Sequence, residues 1–344
     1  MKFCPAYRFA KPHDYLIGRS GPTSFFDPLI LRHLNKAFEA PESFLLKAQV
    51  YFVYPRGYRG LGSVFLRIEQ MAAALRLVNP AMKITLITHQ KLFSMRLKKS
   101  IILLSKASLE RLSAQQVNGF KGGGNYVVYD CIDGEFSPEL EASADAFFCS
   151  SKTEYGYRAQ SGQRAFLVPH AHDLRLFQSR VLPQEKVSTC VYIGNPREEL
   201  YGDRLDSVEK IHLPAKFNRF ANEMPWFKQA SLSSFHYIAR PSVVNGKRFK
   251  PPTKAIVAAL SGALVISTAE DAEFVSWVGA DYPYLAPSNS LPDVLAVIDF
   301  ALGSVDAETV RGAHEAMRKL AREFRLEKIL KAYCAAFVDI QAGF

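Results

Sequence analysis

Apolar residues along this chain fall into two alternating rhythms. Short, nearly continuous runs such as QVYFVY (49–54), MKITLITH (82–89), NYVVYDCID (125–133), ADAFFCSS (144–151) and RAFLVPHA (164–171) have the length of buried strands. Between them lie stretches with helical spacing. The clearest is VFLRIEQMAAALRLV, where Phe65, Ile68, Met71, Ala72 and Leu75 share a face. Buried strands alternating with helices predict βαβ units and a parallel sheet. The rhythm restarts near residue 185. VSTCVYIGN (187–195), SVEKIHLPA, LSSFHYIAR (232–240) and LVIST (264–268) read as strands. TKAIVAALSGA, LPDVLAVIDFAL and AETVRGAHEAMRKLAREF read as helices, the first capped by Thr253 and stopped by Gly262. KLFSMRLKKSIILL (91–104) is basic and apolar together. It reads as an amphipathic helix, either with a solvated face or lying on an anionic membrane surface.

Two such cycles predict an α/β protein with two Rossmann-like domains facing a cleft. The 344 residues agree, because single cores stop growing near roughly 250–300 residues. Residues 1–46, broken by Pro5, Pro12, Pro22, Pro28 and Pro41, form an irregular N-terminal extension with one short helix candidate, PLILRHLNKAF. The first domain is expected over 47–172 and the second over 173–325, with a linker at 172–186. A last helix over 326–344, apolar at Ile329, Leu330, Tyr333, Ala336 and Phe337, is expected to pack back toward the first domain.

Composition narrows the class. No stretch of 18 uncharged apolar residues is present, and the N-terminus lacks the apolar core of a signal peptide. The five cysteines are scattered without a CxxC pair, which argues against a disulfide framework or a zinc site and for a reducing cytosol. The formal charge is +10, and residues 51–100 hold nine Lys/Arg against one acid, Glu69. Such a face attracts polyanions: nucleic acid, anionic lipid or a phosphorylated small molecule.

The segment KRFKPPTKAIVAALSGALVIST (247–268) separates these options. A helix starting at Thr253 presents unpaired N–H groups and a partial positive charge, and Lys247, Arg248, Lys250 and Lys254 crowd the same end. An anion such as a diphosphate would satisfy both; a solvated basic loop is the alternative. The turn PRGYRGLGS (55–63) follows the first strand, with Gly60 and Gly62 permitting close backbone approach and Arg56 and Arg59 as phosphate contacts. A plain βα turn would look the same. Asp130 and Asp133 in YDCIDGE follow a buried strand as a general base would, or as turn residues do. Their spacing is not that of a DxD metal motif. His89, at the end of its strand, is a third catalytic candidate.

The pattern P-x-K-x-x-x-A-L-x-x-G-x-x-V-I, carried by Pro252, Lys254, Ala259, Leu260, Gly262, Val265 and Ile266, resembles the donor-site segment of GT-B glycosyltransferases, particularly the family-4-like group. The resemblance runs over roughly residues 48–330. It implies a metal-independent enzyme that moves a sugar from a nucleoside-diphosphate sugar, a UDP- or GDP-sugar used as substrate with no cofactor, to a hydroxyl acceptor. Arg197, Arg240, Lys247, Lys250, Thr253 and Lys254 would hold the diphosphate. Gly60, Gly62 and Arg59 would form the sugar and acceptor loop, and Asp133 or Asp130 would act on the acceptor hydroxyl. PHAHD (169–173) resembles the family's crossing turn, so His170 and Asp173 would line the cleft without a metal. Saccharide or lipid-linked acceptors, envelope or capsule synthesis, and a cytoplasmic location on the inner membrane face follow by the same analogy. One departure stands out: of the two glutamates the family spaces eight apart, the second falls on Val257 and the first near Phe249 or Lys250. A non-catalytic nucleotide-sugar or glycan-binding relative, a nucleotide-sugar epimerase and a basic nucleic-acid-binding protein remain as rivals. No nucleic-acid partner is expected, because the basic residues do not interleave with aromatics as an RNA motif would.

Overall fold

A computed structural model describes residues 46–179, 187–213, 225–241, 249–303 and 306–344. Residues 1–45 of the N-terminal extension, Lys247 and Arg248 lie outside these residues.

The first sheet has six parallel strands: β1 (Gln49–Tyr54), β2 (Ile84–Thr88), β3 (Ser100–Ser105), β4 (Tyr126–Asp130), β5 (Ala146–Cys149) and β6 (Ala165–Leu167). Their order across the sheet is β2-β1-β3-β4-β5-β6. The second sheet comprises β7 (Val187–Gly194), β8 (Val208–His212), β9 (Ser233–Tyr237), β10 (Leu264–Thr268) and β11 (Leu285–Ala286), also all parallel. Its order, β11-β10-β9-β7-β8, is the mirror reading of the same winding. In each half the chain reverses direction across the sheet beside the first strand, between β1 and β3 and between β7 and β9. Ligands bind open α/β sheets at such switch points, beyond the carboxyl ends of the strands.

The structure corrects the reading of 91–104. Only His89–Leu92 is helical there, and SIILLS forms β3, buried along its whole length at the centre of the sheet. A central parallel strand is apolar on both faces, so its sequence lacks alternation and matches a buried helix segment. The preceding Lys91, Phe93, Arg96, Lys98 and Lys99 are exposed.

The helix after β1 begins at Gly62–Val64, widens into a π-helical stretch over Phe65–Glu69 and continues as Gln70–Val78. The chain crosses between domains at Leu174–Ser179, where Leu174 joins the first core and Leu176 packs beside Trp226 and Phe227 of the second half. The last helix, Leu326–Gln341, returns to the first domain: Ile329, Leu330, Tyr333, Phe337 and Ile340 pack with Phe52 and Phe148.

Candidate functional site

A cleft of about 330 Å³ lies between the two sheets. Its lining comes from the ends of successive strands. Gly62 and Leu66 follow β1, His170 and His172 follow β6, Gly194 and Asn195 close β7, Ile238 and Arg240 follow β9, and Asp271 follows β10. The lining therefore spans the switch point of the second sheet.

The floor is the start of the helix Thr253–Ser261. Pro251 and Pro252 fix the chain before it, and Gly262, at φ 74°, ends it. Pro252 occupies the cap position and no side chain caps the helix, so Thr253 is its first residue and not its cap. Pro252, Thr253, Lys254 and Ala255 all face the cleft, which presents the first-turn N–H groups and the positive dipole end to it.

Lys254 crosses this floor. Its Nζ donates to Tyr192 Oη at 2.9 Å and lies 4.4 Å from the centre of that ring. Gly194 makes the room: a Cβ there would stand 2.5 Å from Lys254 Cε. Burial and the neighbouring Lys250 pull the Lys254 ammonium down to about 8, with Glu198 acting in opposition. Glu198 bridges the lysines, ion-paired to Lys250 and 3.6 Å from Lys254. Burial pushes its carboxyl up, but the two lysines outweigh that and hold it below the usual range. Arg240 donates to Asp271 Oδ1 at 3.1 Å and to the Lys250 carbonyl at 3.0 Å, which anchors the lysine segment.

His170 is buried, with Nδ1 2.6 Å from the Ala171 carbonyl. That contact favours the proton on Nδ1 and leaves Nε2 as an acceptor. Burial, with Arg67 adding to it, lowers its pKa to about 4, so the ring is neutral at physiological pH. Asp173 is turned onto Arg175, accepting from its Nε at 2.9 Å and its NH2 group at 2.6 Å.

Seven of the sequence candidates thus meet at one place: Gly62, His170, Asp173, Arg240, Lys250, Thr253 and Lys254. Others sit elsewhere. Asp130 is fully buried and takes a forked hydrogen bond from Arg67, whose Nη1 also donates to the Val168 and Pro169 carbonyls at 2.8 Å each. Enclosed in that way, it cannot meet an acceptor hydroxyl. Arg59 is ion-paired to buried Glu69, its guanidinium over the Tyr54 ring, and Gly60 lies in the turn without lining the cleft. Arg197 is exposed, and its successor Glu198 takes the inward place. His89 follows the end of β2 and opens a short helix capped by Thr88, outside the lining. Burial and Arg111 lower its pKa.

Asp133 is not among the residues that line the cleft. Ile132, at φ 56°, bends the chain out of β4, a conformation that strains a β-branched residue. Beyond the bend Asp133 pairs with Lys106, and its charge acts on both His170 and Glu198. Among the described residues, no group of three or more His, Cys, Asp or Glu is arranged to hold a metal ion.

Sequence reasoning missed Glu198, His172, Trp226 and Asp271. Asp271 carried a signal, an aspartate opening a helix straight after a strand. The others depend on contacts between distant segments.

No protein-family model matches the chain, and no curated protein matches it. Solved structures do. A glycosyltransferase from Rickettsia africae superposes with a TM-score of 0.56 at 9% identity, over 86% of this chain and 98% of that one. HepE from Anabaena, solved with UDP and glucose, gives 0.54 at 9% identity, over 86% and 100%. The pneumococcal O-GlcNAc transferase GtfA, solved with UDP and GlcNAc, gives 0.53 at 10% identity, over 74% of this chain. This chain spans 60% of the GtfA length. The fold is GT-B. At these identities the likeness is one of architecture, and it places the cleft between two Rossmann-like halves.

Proposed function

We propose that this protein is a glycosyltransferase that moves a sugar from a nucleoside-diphosphate sugar to a hydroxyl acceptor. The carrying observation is the floor of the cleft, where an uncapped helix N-terminus, Lys254 and Lys250 converge at the switch point of the second sheet. Charge develops on the diphosphate as the sugar leaves, and preorganised cations and N–H groups stabilise it there. Without donor, Glu198 balances the lysines; a diphosphate takes over those contacts. Neutral His170 offers Nε2 to the sugar, and Asp133, whose charge acts on both His170 and Glu198, is the base for the acceptor hydroxyl. The solved structures with UDP and sugar ligands support this reading. A saccharide or lipid-linked acceptor, a place in envelope or capsule synthesis, and the cytoplasmic membrane face complete the proposal. Exposed Phe93 among Lys91, Arg96, Lys98 and Lys99 is the surface offered to anionic lipid.

The test is transfer from radiolabelled UDP- and GDP-sugars to a membrane and glycan extract. Asp133→Asn is expected to lower turnover by about 10²–10⁴, the usual contribution of a general base, with nucleotide affinity kept. Unchanged turnover in that variant removes Asp133 from the chemistry. A second reading, a donor-binding relative without transfer, is favoured by apolar Val257 in the cleft and by the enclosed Asp130. It predicts nucleotide binding with no transfer to any acceptor.

A further inference from the structure

Apart from the chain crossings, the two domains are joined by a dense polar contact. Glu273, on the helix Ala272–Val278 of the second domain, is buried against the first turn of Lys152–Gln160 in the first. Its Oε1 accepts from the Lys152 N–H at 3.0 Å, and its Oε2 from the Thr153 N–H at 2.9 Å and Oγ1 at 2.7 Å. The Trp277 indole N–H, at 2.6 Å, completes the set. The next N–H of that helix, from Glu154, goes to Ser151. One domain's carboxylate thus caps the other domain's helix, at the dipole end where a negative charge is favoured.

The contact extends in two directions. Lys152 Nζ lies 3.7 Å over the Trp277 ring and donates to the Ser276 carbonyl at 2.9 Å. Tyr157 stacks on Phe249 at 5.1 Å, and Ser151 Oγ donates to the Phe249 carbonyl at 3.4 Å. Phe249 adjoins Lys250. Asp271, which caps the helix bearing Glu273, holds Arg240, which in turn holds the Lys250 backbone. The interdomain contact and the lysine floor are therefore parts of one hydrogen-bonded run. Its core is polar, so water can replace each partner when the domains part, and a polar interface of this kind opens and closes readily.

We propose that Glu273 is a closure latch: a positioning residue that holds the two domains together over the cleft and sets donor affinity without touching the donor. The affinity half rests on the donor reading above; the closure half does not.

The chain has two tryptophans, Trp226 in the cleft lining and Trp277 in the latch. In a Trp226→Phe background, Trp277 alone reports on the contact. Glu273→Gln, and from the other domain Thr153→Val and Lys152→Ala, are compared by acrylamide quenching, small-angle scattering and titration with UDP, GDP and ADP. The latch predicts a larger radius of gyration and more accessible Trp277 in these variants. If the closed fraction falls to about one tenth, nucleotide affinity falls about tenfold. Lys254→Ala is expected to lose affinity without opening, which separates the latch from the donor contacts. Unchanged scattering and quenching in Thr153→Val and Lys152→Ala overturn the latch, whether or not Glu273→Gln folds. Opening without any loss of nucleotide affinity overturns the coupling. If the wild type binds none of the three nucleotides, the donor reading fails, and scattering and quenching still decide the latch.

Discussion

Asp130 and Asp133 stand three residues apart and live in different chemistry. Asp130 is the last residue of β4 and shares a fully buried ion pair with Arg67. Asp133 lies past the strained bend at Ile132 and pairs with Lys106. Breaking a buried pair from one side leaves an uncompensated charge, which costs about 3–5 kcal/mol. Asp130→Asn is therefore expected to lower unfolding free energy by about that amount in urea titrations, and a change below about 1 kcal/mol would contradict the assigned role. Both aspartates were visible in the sequence as carboxylates after a strand. Their division of labour was not, because it depends on Arg67, 63 positions away in the chain. The same holds for Arg59, whose partner Glu69 comes inward on the π-helical stretch.

At the scale of elements, the helix Thr253–Ser261 is the most informative piece, and its sequence revealed most of it. Two prolines, a basic run and a closing glycine gave its position and its anion-binding end. What they hid was the cap: Thr253 is drawn into the first turn and leaves the end open to the cleft. The strand β3 was missed for the opposite reason. Burial on both faces erased the alternation that marks a strand, and the lysines before it suggested an amphipathic helix. Lys254 gives the helix a pH dependence. Its pKa in the free protein is depressed to about 8, so the ammonium is present below that pH and lost above it. A bound diphosphate favours the charged form. Nucleotide affinity is therefore expected to be steady near pH 7 and to fall by up to about tenfold per unit once pH rises well past 8. Lys254→Arg, which keeps its charge, is expected to flatten that fall between pH 7.5 and 9.5. A wild type with pH-independent affinity across that window would show that Lys254 does not meet the phosphates.

For the whole molecule, two equivalent windings set the carboxyl ends of two parallel sheets against each other. The alternation of buried runs and helical patterns made that duplication legible, and with it the interdomain cleft. The cleft's inner balance was not legible: Glu198 between two lysines, Asp271 on Arg240 and Trp226 beside Val257 arise only when distant loops converge. The central claim is that this floor binds a nucleoside diphosphate. The most direct measurement is the melting temperature of wild type and Lys254→Ala against UDP, GDP, ADP, CMP and their sugars. At 100-fold over its dissociation constant a ligand adds about 2.7 kcal/mol to stability, a clear rise in melting temperature. The account predicts that one nucleoside diphosphate stabilises the wild type and that Lys254→Ala loses the response. Stabilisation by heparin or random DNA, with none by any nucleotide, would contradict it and make this a polyanion-binding protein built on a glycosyltransferase fold.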